Sequence, residues 1–245
     1  MRLLLLSNST NPGEEYLGWG KKYIQDFLGK EPVRALFIPY AAVTLSYDEY
    51  ERRVESVFAT LGHHVTSIHH AYNPIQEVEQ AQAIVIGGGN TWQLVRKLHE
   101  QNLVQAIRQR VEDNVPYLGW SAGSNVACPT LKTTNDMPIV DPLNFHTMDL
   151  IPFQINPHYL DVHPQGHGGE TREDRIREFI ELNPDTYVLG LREASLLHYE
   201  DNQLKLVGEK TARLFKRGTE PRELSVNDDL GFLLEDPRVY PGPFC

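Results

Sequence analysis

Short, wholly apolar runs alternate along this chain with longer stretches whose apolar residues recur every three or four positions. Residues 3–6 are four leucines, residues 83–86 read Ala-Ile-Val-Ile and residues 187–191 read Tyr-Val-Leu-Gly-Leu. A run that is apolar at every position predicts a strand covered on both faces, as inside a parallel sheet. Residues 35–40 predict another such strand, ending near Pro39, which has no ladder donor. Residues 64–68 alternate instead and predict a short strand with one wet face. Helical spacing runs through 16–27 and is clearest over 46–61. There Tyr47, Tyr50, Val54, Val57, Phe58 and Leu61 fall on one stripe, with Gly62 as a C-cap. Further helices are predicted over 74–79, from Thr91 through Leu98, over 103–111 and over 173–182.

This succession predicts an α/β fold: a doubly wound, mostly parallel sheet with helices on both faces and ligand-bearing loops at the strand ends. The pattern changes after residue 121. A polar, proline-bounded stretch covers 133–142, a strand is predicted at 151–155, and residues 195–199 and 203–207 predict a hairpin around Asp201-Asn202. The tail, with Pro237, Pro241 and Pro243, reads as a covering segment. No repeat or linker divides the 245 residues, so a single domain over 1–245 is expected.

Composition narrows the function. Hydrophobic residues make up 40% and charged residues 23%, and no run approaches the ~20 apolar residues that cross a bilayer. The leucines after Met1 are too few for a secretory leader, so a cytoplasmic protein is expected. A formal net charge of -10 speaks against a nucleic-acid partner. With only Cys128 and Cys245 there is neither a disulfide framework nor a thiolate metal cluster.

The candidate chemistry centres on Gly119-Trp120-Ser121-Ala122-Gly123, a G-x-S-x-G elbow between an apolar run and a following helix. Such a turn presents a serine hydroxyl, and the Ala122 N–H just after it can face a developing oxyanion. Gly87-Gly88-Gly89 can add a second donor at Gly89. A phosphate-binding reading of that loop lacks both the Walker lysine and a regular G-x-G-x-x-G. A serine nucleophile needs a base, and His158, delivered by the strand before it, is the candidate. Two acids compete to orient it, Asp136 in the polar stretch and Glu193 after the 187–191 strand. The placement of Glu193 favours it for the imidazole, leaving Asp136 for a substrate ammonium. His158, His163 and His167 with Asp161 invite a metal reading, but the spacing is not that of H-E-x-x-H. Thr171 can cap a helix whose Arg172 or Arg175 could pair with a substrate carboxylate.

These blocks, with Ser7-Asn8-Ser9-Thr10, the Thr133–Pro142 stretch, Asn156-Pro157-His158 and Gly169-Glu170-Thr171-Arg172, resemble the alpha-aspartyl dipeptidase (peptidase E) family of serine peptidases. That family is related to cyanophycinases and has a core similar to class I glutamine amidotransferases. The resemblance implies Ser121 as nucleophile, His158 as base, and cleavage of small Asp-X dipeptides without a metal or other cofactor. It implies Arg172 as the recogniser of the aspartyl carboxylate. Asp136 and Glu193 both match acids assigned to the third position. Arg192-Glu193-Ala194 departs from the family's usual proline before the acid and glycine after it. Two alternatives accompany this reading: a cyanophycinase-like hydrolase of β-aspartyl links, and a catalytically silent ligand binder.

Overall fold

The computed structural model describes residues 1–162 and 168–235. Its main sheet has seven strands. Five run parallel in the order β3 (His64–Ser67), β2 (Arg34–Ile38), β4 (Ala83–Ile86), β5 (Tyr117–Trp120) and β1 (Leu3–Leu6). The hairpin of β8 (Ser195–Glu200) and β9 (Gln203–Gly208) then continues it antiparallel beside β1. The hairpin turn residues Asp201 and Asn202 both have positive φ, 51° and 59°, as a type I′ turn requires.

The apolar runs are continuous because the sheet is covered twice. Leu3, Leu5, Leu36, Ile38, Ile84 and Ile86 enter one core with α4 (Thr91–Glu100) and α5 (Leu103–Glu112). Their chain neighbours Leu4, Leu6, Phe37 and Val85 enter a second core with α1 (Lys21–Leu28) and α2 (Tyr47–Thr60). One period-two alternation therefore feeds two cores, and no strand position between them is left for a polar side chain. A third, short helix, α3 (Pro74–Gln80), follows β3.

The remaining strands differ from the expected single sheet. A separate four-stranded sheet has the order β11 (Arg222–Leu224), β10 (Ala212–Phe215), β7 (Val188–Leu191), β6 (Gln154–Pro157). Only β6 and β7 are parallel in it. Its residues Ile155, Leu189, Leu191 and Leu214 share the first core with the main sheet, while α7 (Arg172–Leu182) packs Ile176 and Ile180 against Val188 and Phe215. The predicted strand at 151–155 lies three residues later, because Gln154 and Asn156 are buried polar side chains within it. The first helix begins at Lys21 rather than Tyr16, after turns that include Leu17 at φ 56°. The proposed covering role of Pro237, Pro241 and Pro243 lies outside the described residues. Among those described, no helix is long and apolar enough to cross a membrane.

Candidate active site

The end of β5 feeds directly into α6 (Ala122–Asn125), and Ser121 at the junction has φ 54° and ψ -112°. That backbone is strained for a serine, as expected where a side chain must stand clear of a turn. Surrounding contacts impose it. Ser121 N–H donates to Leu6 O at 3.0 Å, Ser124 Oγ donates to the same carbonyl at 2.6 Å, and Tyr117 Oη donates to Gly123 O at 2.6 Å. Gly123 passes so close to β4 that a Cβ there would lie 2.1 Å from Ile86 O. No larger residue fits.

His158 follows β6, which is tied to the elbow by buried amides. Asn125 Nδ2 donates to Ile155 O at 3.0 Å, and Thr133 Oγ1 donates to it at 2.8 Å. Asn135 Nδ2 donates to Pro157 O at 2.6 Å. His158 itself has φ 53°, and its N–H donates to Ser7 Oγ at 2.9 Å. The imidazole then lies with Nε2 2.8 Å from Ser121 Oγ and Nδ1 2.7 Å from Glu193 Oε1. These are hydrogen-bond distances for a hydroxyl, a base and an orienting carboxylate.

Glu193 lies just past β7 in a loop that departs from the family pattern. Arg192, only 13% exposed in its side chain, is held by Asp161, Glu223 and the Thr211 carbonyl. These pairings hold the Glu223 carboxyl down to about 2. Ala194 takes φ 65°, and its N–H donates to Asn8 Oδ1 at 3.0 Å. Ion pairs and an amide thus hold a loop where proline and glycine would act through the backbone.

Asp136 is placed elsewhere. It sits at the start of α4, where its Oδ2 accepts from Thr91 N–H at 2.7 Å, Thr91 Oγ1 at 2.6 Å and Thr134 Oγ1 at 3.0 Å. All three bonds fall on one oxygen, which leaves Oδ1 to receive a ligand. Arg172 is the first residue of α7, an unfavourable end for a cation, and burial together with Arg175 lowers its pKa while Asp136 opposes the shift. Among the described residues no carboxylate forms an ion pair with Arg172. The suggested metal set does not converge: His158 is engaged as above and Asp161 is paired with Arg192, while His163 and His167 lie outside the described residues.

Ser121, His158, Asp136, Arg172, Gly88 and Gly89 line one cavity of about 610 Å³. The N–H of Ala122, at the first position of α6, is an orphan helix donor beside the serine. Gly89 has φ 138°, and a Cβ there would lie 2.3 Å from Ala41 O. Several lining residues were not singled out in the sequence. Tyr50 Oη donates to Gly88 O at 2.9 Å and accepts from Trp120 Nε1 at 3.2 Å. Arg53 lies 5.4 Å over the Tyr16 ring at the same wall. Ser7, Asn8, Asn125 and Asn135 position the loops without carrying any motif signal beyond following an apolar run.

The comparisons with known proteins agree on one family. The model described as peptidase family S51 matches residues 3–207. A peptidase E from Nostoc is 50% identical over 234 residues, covering 96% of this chain and 97% of its own length. One from Streptomyces coelicolor is 48% identical over 236 residues, covering 96% of each chain. The solved structure of a peptidase from an acI-B1 actinobacterium covers 94% of this chain and 96% of its own, with TM-score 0.65 and 18% identity. A Listeria monocytogenes structure described as peptidase E gives TM-score 0.62 at 18% identity, over 85% and 98%. Both structures bear on the fold.

Two substitutions with opposite backbone demands test these loops. Gly123→Ala is expected to cost more than about 4 kcal/mol or prevent folding, because its Cβ meets fixed backbone. Ala194→Gly is expected to add about 0.5–1 kcal/mol by relieving a left-handed alanine, offset in part by chain entropy. Urea denaturation of each purified variant measures both, and equal losses in the two would contradict this account.

Proposed function

The chain belongs to peptidase family S51, and from that premise we propose that it hydrolyses dipeptides with an N-terminal aspartate through a serine acyl-enzyme. The observation that carries this reading is the continuous Ser121–His158–Glu193 contact in a cavity that also holds Arg172 and Asp136. We read the described chain as one hydrolytic unit, supported by the apolar core the two sheets share. The glutamine-amidotransferase-like kinship of the core has the support of its five parallel strands, with the serine at the end of β5.

In this mechanism Ser121 Oγ attacks the scissile carbonyl while His158 Nε2 takes its proton. Glu193 holds Nδ1–H and stabilises the imidazolium as it forms. The N–H groups of Ala122 and Gly89 receive the developing oxyanion. His158 passes its proton to the leaving amine, and the second amino acid departs. Water, deprotonated by the same nitrogen, then hydrolyses the acyl-serine and releases aspartate.

Specificity follows from charge and reach. The Arg172 guanidinium can hold both oxygens of a side-chain carboxylate in fixed geometry. Asp136 Oδ1 receives the α-ammonium. A neutral first residue leaves a half-buried arginine unpaired, which disfavours it. Glutamate carries its carboxylate one methylene further and displaces the carbonyl from Ser121.

Incubation of the purified protein with Asp-Leu, following free leucine, tests the activity. Ser121→Ala should lower kcat by about ten-thousandfold or more. The absence of any Ser121-dependent release from Asp-Leu or β-Asp-Arg would leave only a silent ligand binder. Faster turnover of β-Asp-Arg than of Asp-Leu would replace the proposal with a cyanophycinase-like one.

A second measurement isolates specificity. Arg172→Met should reduce kcat/KM for Asp-Leu by about a hundredfold, with little change for a slowly cleaved neutral dipeptide. Equal losses on both substrates would remove Arg172 from carboxylate recognition.

A further inference from the structure

Outside the catalytic cavity, two histidines and two carboxylates meet at the β3 edge of the main sheet. Asp48 and Glu51 lie three residues apart on α2 and so share a helix face. His69 and His70 end the 3₁₀ turn Ile68–His70 that follows β3. One ligand atom from each of the four lies within 4.8 Å of all the others. His69 Nε2 is 2.9 Å from Asp48 Oδ1, while His70 Nε2 is 2.7 Å from Glu51 Oε2 and 3.7 Å from Asp48 Oδ1. None of the four lines the catalytic cavity.

We propose that Asp48, Glu51, His69 and His70 form a zinc-binding site that staples the start of α2 to the turn after β3. Two imidazole nitrogens and two carboxylate oxygens suit a borderline divalent ion, and four protein ligands make a closed structural site. Ligand bonds near 2.0–2.1 Å give a tetrahedron edge of about 3.3 Å, within the spread of the present separations. Zinc would replace the protons now shared between the histidines and carboxylates, so binding releases protons.

Surrounding contacts orient the ligands as metal sites require. Ser67 Oγ lies 2.5 Å from His69 Nδ1, which turns Nε2 toward the cluster. Ser67 N–H donates to Glu51 Oε1 at 2.8 Å, leaving Oε2 to face inward. The Tyr47 ring packs 5.5 Å from that of His69. The bond from His69 holds the Asp48 carboxyl below its usual range, in the anionic form a ligand needs. Two independent His–carboxylate pairs would not explain the convergence. The two imidazole centroids are 3.8 Å apart, and two imidazolium ions at that distance repel one another. A single dication with neutral imidazoles satisfies both carboxylates without that repulsion. Because α2 also carries Tyr50, the staple would fix one wall of the cavity while taking no part in the chemistry proposed there.

The chelator-treated full-length protein, titrated with zinc by calorimetry and with cobalt by visible absorption, provides the test. One equivalent of zinc should bind, Tm should rise, and cobalt should show the intense bands of a tetrahedral site. His70→Ala and Glu51→Gln, both near the surface, should abolish the one-equivalent heat while far-UV circular dichroism stays unchanged. Ser67→Ala keeps all four ligands and should weaken zinc about tenfold. The absence of saturable one-equivalent binding would overturn the site. So would binding that survives His69→Ala/His70→Ala, since it must then occur at other histidines.

Discussion

Two consecutive residues at the end of β1 hold the candidate site together. The Leu6 carbonyl accepts the Ser121 N–H and the Ser124 hydroxyl, which sets the elbow against the main sheet. The next side chain, Ser7 Oγ, accepts the His158 N–H and donates to Leu191 O at 2.7 Å, which sets the ends of β6 and β7. Leu6 and Ser7 are fully buried, so water cannot replace a lost partner. A typical hydrogen bond adds only about 1 kcal/mol net, but stranding a buried donor or acceptor costs about 1–3 kcal/mol. Displacing β1 by even one position would strand several at once. This is why groups at 121, 158 and 193 meet although they come from two sheets.

What the sequence disclosed follows from the same physics. The strands of the main sheet are legible because both of their faces are buried, so burial appears directly as composition. The elbow is legible because its glycines answer a steric demand, seen where Gly123 passes Ile86 O. The second sheet was hidden. Hydrophobic period reports burial but not the partner, and nothing in residues 187–191 says that β7 pairs with β6 and β10 rather than with β1. The start of β6 was displaced because Gln154 and Asn156 are polar yet buried, with Thr130, Thr133 and Asn135 as their partners. Ser7 and Asn8 read as a solvated loop for the same reason. Their importance lies in bonds to residues more than 150 positions away.

Local rules are broken where the candidate chemistry gathers. Ser121, His158 and Ala194 all have positive φ, a conformation that costs an L-residue about 1–2 kcal/mol. Each lies at or beside one member of the Ser–His–Glu contact, and each is pinned by a backbone hydrogen bond. At Ala194 the strain persists without the glycine that relatives of this kind use. The Arg192 ion pairs and the Asn8 amide supply the restraint instead. An exchange of sequence at this loop therefore need not move the carboxylate of Glu193, because side-chain contacts can replace backbone preference.

Electrostatics supplies the remaining constraint. With a formal net charge of -10, the protein as a whole repels an anion, and an Asp-X dipeptide has two carboxylates against one ammonium. On the proposed reading, the cavity must reverse that sign locally. Most arginines of the second sheet cannot contribute, since Arg192 and Arg213 are committed to Asp161, Glu173 and Glu223. Arg172 and Arg53 differ: both line the cavity, and neither forms an ion pair among the described residues. At the helix start Arg172 is also opposed by the dipole and by Arg175, so folding alone gives little reason for a cation there. A carboxylate arriving beside it would relieve burial and repulsion together. Asp136, with one oxygen already saturated by Thr91 and Thr134, keeps the pocket from accepting dianions without an ammonium. Charge selection and the tolerance of an otherwise unfavourable arginine thus have one cause.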